Sequence, residues 1–83
     1  MSLNFPCLFP IKALAKVDSP IESFIRSTLE KELKEPSPIE YTSRLSHQGK
    51  YYSVTALFTA SSQEELDRVY QILSSNKDIL WMI

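Results

Sequence analysis

Residues 9–17 alternate. Phe9, Ile11, Ala13, Ala15 and Val17 share one parity; Pro10, Lys12, Leu14 and Lys16 share the other. A period of two with one apolar side predicts a strand with a single buried face. Pro6 and Pro10 cannot donate to a ladder, so the entry over residues 1–7 is expected to be irregular or unpaired. At Asp18-Ser19-Pro20 the period changes. Ile21, Phe24, Ile25, Leu29 and Leu33 recur at helical spacing, with Glu22, Ser23, Arg26, Glu30, Lys31 and Lys34 opposite. Ser19 reads as the N-cap, Pro20 as the first helical residue, and Glu22 lies near the positive end of the helix dipole. Glu30 and Lys34 have the spacing of a surface pair worth about 0.3 kcal/mol. Pro36 and Pro38 are expected to end the helix.

Residues 39–46 alternate again, with Ile39, Tyr41, Ser43 and Leu45 against Glu40, Thr42 and Arg44. Their modest apolar content suits an edge strand. His47-Gln48-Gly49 turns the chain, and Gly49, the only glycine, supplies a positive φ at no steric cost. In residues 51–59, Tyr52, Val54, Ala56 and Phe58 point one way, and Tyr51, Ser53, Thr55 and Leu57 the other. The β-branched and aromatic content suits a central strand. Ser61 with Glu64, or Ser62 with Glu65, has capping-box spacing. A second helix follows, with Leu66, Val69, Tyr70 and Leu73 as its buried stripe. Residues 79–83 form a short, wholly apolar final strand.

The order β-α-β-β-α-β predicts one α+β domain over residues 1–83. It is a ferredoxin-like sandwich: a four-stranded antiparallel sheet in order 4-1-3-2 with both helices on one face. The other face is uncovered within the chain. Parity assigns to it Lys12, Leu14, Lys16, Thr42, Arg44, Tyr51, Ser53, Thr55, Leu57, Leu80 and Met82. Of these, Lys12, Leu14, Arg44, Tyr51, Ser53, Thr55, Leu57 and Met82 are the candidate interaction surface. The competing reading is a half-solvated sheet whose apolar residues only serve strand propensity.

Composition narrows the partners. The net charge is −1, with acids and bases interspersed, which argues against nucleic acid and anionic lipid. No apolar run approaches the roughly 20 residues that span a bilayer, and the start lacks the basic region of a signal peptide. Cys7 is the only cysteine, so no internal disulfide or multi-cysteine metal site is expected, in keeping with a reducing cytoplasm. It reads as a semi-buried apolar residue. His47, the only histidine, reads as a solvated turn residue. Glu64, Glu65 and Asp67 read as dipole partners rather than metal ligands. No nucleophile elbow or glycine-rich phosphate loop is present. No catalytic residue, metal or cofactor is therefore expected. RNA-recognition domains of this topology stack bases on outward aromatics of strands one and three. Here Tyr51 stands beside Ser53, Lys12 and Leu14, which weakens that reading.

Two motifs carry a family resemblance. Phe5-Pro6-Cys7-Leu8-Phe9-Pro10-Ile11-Lys12 resembles the FPxxFxxK entry of the YbeD-like family of small bacterial proteins of unknown function. Ser46-His47-Gln48-Gly49-Lys50-Tyr51-Tyr52-Ser53-Val54 is similar to that family's SxxGxYxSV hairpin. The apolar end, residues 79–83, resembles its closing strand. The chain departs at Ala15, where the family tends to have glycine, and at Trp81, where relatives can carry a polar residue, which makes Trp81 either extra core or extra interface. The resemblance implies a ferredoxin-like fold related in shape to ACT regulatory domains, which bind small effectors at subunit interfaces. Their effector loop usually relies on a glycine, whereas Val17-Asp18-Ser19-Pro20 has none. The functional expectation is a cytoplasmic, non-enzymatic, regulatory protein-interaction domain whose partner is another protein or a second copy. An ACT-like amino-acid sensing module is the alternative, and RNA binding a further one.

Overall fold

A computed structural model describes residues 4–34, 37–46 and 48–83. The elements are β1 (Cys7–Lys16), α1 (Ile21–Glu32), β2 (Glu40–Leu45), β3 (Tyr51–Ala60), α2 (Gln63–Ser74) and β4 (Trp81–Met82). The strands form one antiparallel sheet in order β2-β3-β1-β4, the ferredoxin-like arrangement expected from the order of elements.

The sheet is organised around β1 and β3, which pair over ten residues from Cys7↔Ala60 to Lys16↔Tyr51. Opposed residues in an antiparallel pair share a face. The face toward the helices carries Ile11, Ala13 and Ala15 from β1 and Val54, Ala56, Phe58 and Ala60 from β3, all fully buried. Ile21, Ile25 and Leu29 of α1 and Leu66, Val69 and Leu73 of α2 close the core. The four alanines leave room for the helices to approach the two central strands. Phe9 fills the space at one end, packing edge-on against Tyr70.

β1 begins at Cys7, two residues before the alternation suggests, and runs through Pro10 without a break. Lys12 and Ile83 exchange both backbone hydrogen bonds, so even-numbered residues of β1 point their N–H groups toward β4. Among the described residues no rung forms beyond Lys12 on that side. The missing N–H of Pro10 therefore falls where no donor is required. Cys7 is half-buried, on the core side opposite Ala60. Val17 is an exception to its parity: it lies past the strand end and is 49% exposed.

The start of α1 differs from expectation. The N-cap position is Pro20, with no side-chain cap, and the Ser19 hydroxyl is buried without a partner among the described residues. Tyr52 of β3 does the capping instead. Its hydroxyl accepts the Ile21 N–H at 3.1 Å and donates to the Ser19 carbonyl. A helix start leaves its first N–H groups without partners, and here a residue 31 positions away supplies one. The stripe also includes Thr28, whose hydroxyl is satisfied by the Phe24 carbonyl at 2.8 Å. The helix ends at Glu32, so Lys34 lies beyond it and makes no pair with Glu30; the pair that forms on α1 is Glu22–Arg26 at 3.4 Å. Pro36 is outside the described residues.

At α2 the Ser62/Glu65 box is the one used. The Ser62 hydroxyl accepts the Glu65 N–H at 3.1 Å. The Glu65 carboxylate is fully buried and accepts the Ser61 N–H at 2.9 Å and the Lys34 N–H at 3.0 Å. One acid thus ties the α2 start to the segment after α1. Gly49 has φ +68° and donates its N–H to the Ser46 carbonyl at 3.0 Å, as the hairpin requires. His47 lies outside the described residues.

β4 corrects one assignment. Trp81 is opposite Leu14, and Met82 is opposite Ala13. Met82 therefore packs against the core with Ile79, and Trp81, not Met82, belongs to the open face. The Leu80 N–H donates to the Leu14 carbonyl, although Leu14 is opposite Trp81. Two residues of the final segment then face one of β1, as at a bulge, and strict alternation fails.

These ties predict stability effects. Tyr52→Phe removes both hydroxyl bonds and lowers unfolding free energy by about 1–2 kcal/mol. Glu65→Ala strands two backbone N–H groups and costs about 2–4 kcal/mol. Urea denaturation measures both. A Glu65→Ala midpoint equal to that of the wild type contradicts the tie.

Candidate functional site

The register arranges the uncovered face in rows. One row runs Arg44, Ser53, Leu14, Trp81 across β2, β3, β1 and β4. The next runs Thr42, Thr55, Lys12, with Ile83 joined to Lys12 by two hydrogen bonds. Glu40, Leu57 and Pro10 form a third, and Tyr51 with Lys16 lies at the hairpin end. Seven of the eight candidate residues, Lys12, Leu14, Arg44, Tyr51, Ser53, Thr55 and Leu57, are thus on this one face. Met82 is on the other.

Trp81 and Ile83 join the face in its place, 48% and 62% exposed, as does Leu8, at 69%. The sequence leaves Trp81 open between core and interface, because five consecutive apolar residues carry no period. The signal that could have found it was Leu14: an outward residue on β1 needs an outward neighbour on the next strand. Ser53 is the other surprise. It points away from the helices yet is only 9% exposed, set between Leu14 on one neighbouring strand and Arg44 on the other.

Lys12, Thr42, Arg44, Ser53 and Thr55 line a groove of about 280 Å³ at the centre of the face. A second cavity of about 350 Å³ lies at the end of the sheet, lined by Lys16, Asp18, Ser19, Pro20, Lys77, Asp78 and Leu80. It opens beside the β1–α1 turn. No group of three or more His, Cys, Asp or Glu able to hold a metal ion occurs among the described residues. No helix among them is long and apolar enough to cross a membrane.

On the helix-covered side, three side chains have shifted proton affinities. The Ser43 hydroxyl donates to Glu22 at 2.6 Å and holds its carboxyl below the usual range; partial burial opposes this, and Arg26 adds to it. Burial pushes the Tyr41 and Tyr70 phenols up, so both stay protonated near neutral pH and offer no general base. The Arg26 guanidinium lies 4.0 Å from the Tyr41 ring centroid.

Helices on one side of the sheet and a bare, mixed surface on the other define the class: a small ferredoxin-like α+β domain. The chain belongs to the family described as "Protein of unknown function (DUF493)", whose family model matches residues 1–83. It is 31% identical over 75 residues to the UPF0250 protein NMC1112 of Neisseria meningitidis, covering 90% of this chain and 82% of that protein. To the UPF0250 protein of Chromobacterium violaceum it is 28% identical over 73 residues, covering 88% and 82%. The solution structure of HP0495 from H. pylori aligns with a TM-score of 0.78 at 19% identity, over all of this chain and 87% of that one, a likeness of fold alone. The YbeD-like resemblance carried by the Phe5 and Ser46 motifs therefore holds.

Glu22 yields a pH prediction. Its lowered folded pKa gives stability that is present above the ordinary carboxylate value and is lost as pH falls through the lowered one. The side chain is 39% exposed, so the effect on stability stays below about 0.5 kcal/mol. NMR titration should find Glu22 below a reference glutamate, and Ser43→Ala should raise it. An unchanged Glu22 in that variant contradicts the assignment.

Proposed function

We propose that this domain works by protein contact through its open sheet face, as a non-enzymatic regulatory module of the cytoplasm. The observation that carries the reading is the uncovered set Leu8, Leu14, Leu57, Trp81 and Ile83 around a polar centre. These side chains lie on the sheet face away from the core. Apolar side chains gathered on one uncovered face around polar groups are the kind of surface that marks interaction sites in soluble domains. Trp81 and Tyr51 suit such a surface, because each pairs a large rigid apolar body with a polar atom. The family's unknown function leaves the partner open, and the single free cysteine is in keeping with a reducing compartment.

The ACT-like sensing reading has one observation in its favour. The 350 Å³ cavity sits beside the β1–α1 turn, and the partnerless Ser19 hydroxyl is among its lining residues. Its lining is otherwise mainly charged, and the turn has no glycine to let a ligand approach the backbone.

Affinity capture from the source cell with wild type and with Leu57→Ser/Trp81→Ala separates the readings. The double variant should stay folded and lose its protein partners. Equal recovery by both proteins contradicts the contact reading. A thermal shift of several degrees with millimolar amino acids, abolished by Ser19→Val, favours the sensing reading instead.

A further inference from the structure

The groove at the centre of the open face bears on the chemistry of a partner, on the basis of the protein-contact reading above. Its floor is Ser53 and Thr55 of the central strand β3. Thr55 lies between Lys12 and Thr42, and Ser53 lies between Leu14 and Arg44. The two cations therefore stand on opposite sides of a hydroxyl-lined floor, one on β1 and one on β2. The ion pairs among the described residues, Glu22–Arg26 and Glu32–Arg68, leave both of them out.

Charge is unevenly spread over the molecule. Among the described residues, the open face holds three basic residues, Lys12, Lys16 and Arg44, but one acidic residue, Glu40. Glu40 is opposite Leu57, outside the groove. A chain of net charge −1 thus presents a positive sheet face. Leu14, Leu57, Trp81 and Ile83 border the polar centre with apolar surface.

We propose that the groove receives a carboxylate, and that the occupant of this face is an acidic segment of another protein. A glutamate or aspartate of that segment enters between Lys12 and Arg44, while apolar side chains beside it lie on Leu57, Leu14 and Trp81. The planar guanidinium of Arg44 matches a carboxylate through two parallel hydrogen bonds, and the Thr42 and Thr55 hydroxyls are placed to donate to what remains. The low exposure of Ser53 places the contact where water is partly excluded, which strengthens it. A second copy of the chain fits poorly. A two-fold contact through this face sets Lys12, Lys16 and Arg44 against the same three residues, with Glu40 alone to offset them.

NMR titration of the labelled protein tests this with four probes. They are a short blocked peptide alternating glutamate with leucine and valine, its glutamine counterpart, inorganic phosphate and a single-stranded oligonucleotide. The glutamate peptide should shift the amides of Lys12, Thr42, Arg44, Ser53 and Thr55. Binding should weaken about tenfold or more for the glutamine peptide, and equally in Lys12→Gln/Arg44→Gln. Both substituted side chains are exposed, so that variant keeps its fold. Equal binding of the two peptides, shifts elsewhere, or no shifts overturn the proposal. So does phosphate or oligonucleotide binding as tightly as the glutamate peptide, since the groove then serves a free anion or a nucleic acid. Cell capture separates this from the parent reading. If Leu57→Ser/Trp81→Ala loses the partner and Lys12→Gln/Arg44→Gln keeps it, protein contact stands and the carboxylate site falls. If both keep it, both readings fall.

Discussion

The ten-residue pairing of β1 with β3 is the constraint from which the remaining structure follows. Its register sets Ala13 against Val54 and Leu14 against Ser53. A slip of one residue would exchange the two faces, sending Ile11, Ala13 and Ala15 to solvent and Lys12 and Lys16 into the core. That cost specifies the register. The same pairing divides the protein into a core side and a bare side. The surface chemistry is therefore a by-product of the packing: whatever parity keeps from the helices is presented outward in rows.

The helices are anchored by their buried apolar stripes, and two polar contacts add fixed points at their ends. Tyr52 links β3 to the start of α1, and Glu65 links the start of α2 to the segment after α1. Each spans 31 residues. Both satisfy backbone groups that would otherwise be unpaired in partly buried positions, where the penalty for an unmade hydrogen bond is largest. A small domain has little apolar area to spare, so contacts of this type carry a large share of its specificity.

The central strands, both helical stripes and the hairpin at Gly49 were legible because each rests on a period or on a turn residue with a fixed backbone need. Tyr52 as a helix cap was not legible, since no local pattern announces a partner so distant. The burial of Glu65 was half legible: Ser62 and Glu65 have the spacing of a box, but the Lys34 N–H that completes the carboxylate comes from another element. The parity of the final strand is not legible, because an all-apolar run with a bulge offers no alternation to count. Alternation alone exchanges Met82 for Trp81, the largest side chain on the open face. Ser53 was placed on the correct face, but its burial depends on neighbours from two other strands.

Trp81 is the only tryptophan of the chain and sits on the open face beside Leu14. It is a built-in reporter for the claim that this face is the working surface. Its emission can be recorded for the isolated domain and for the complex recovered with its partner from the source cell, with a soluble quencher added to each. In the free domain Trp81 should be readily quenched. In the complex its emission should shift to shorter wavelength and its quenching should fall severalfold. A complex in which Trp81 stays as open to the quencher as in the free domain would contradict the account.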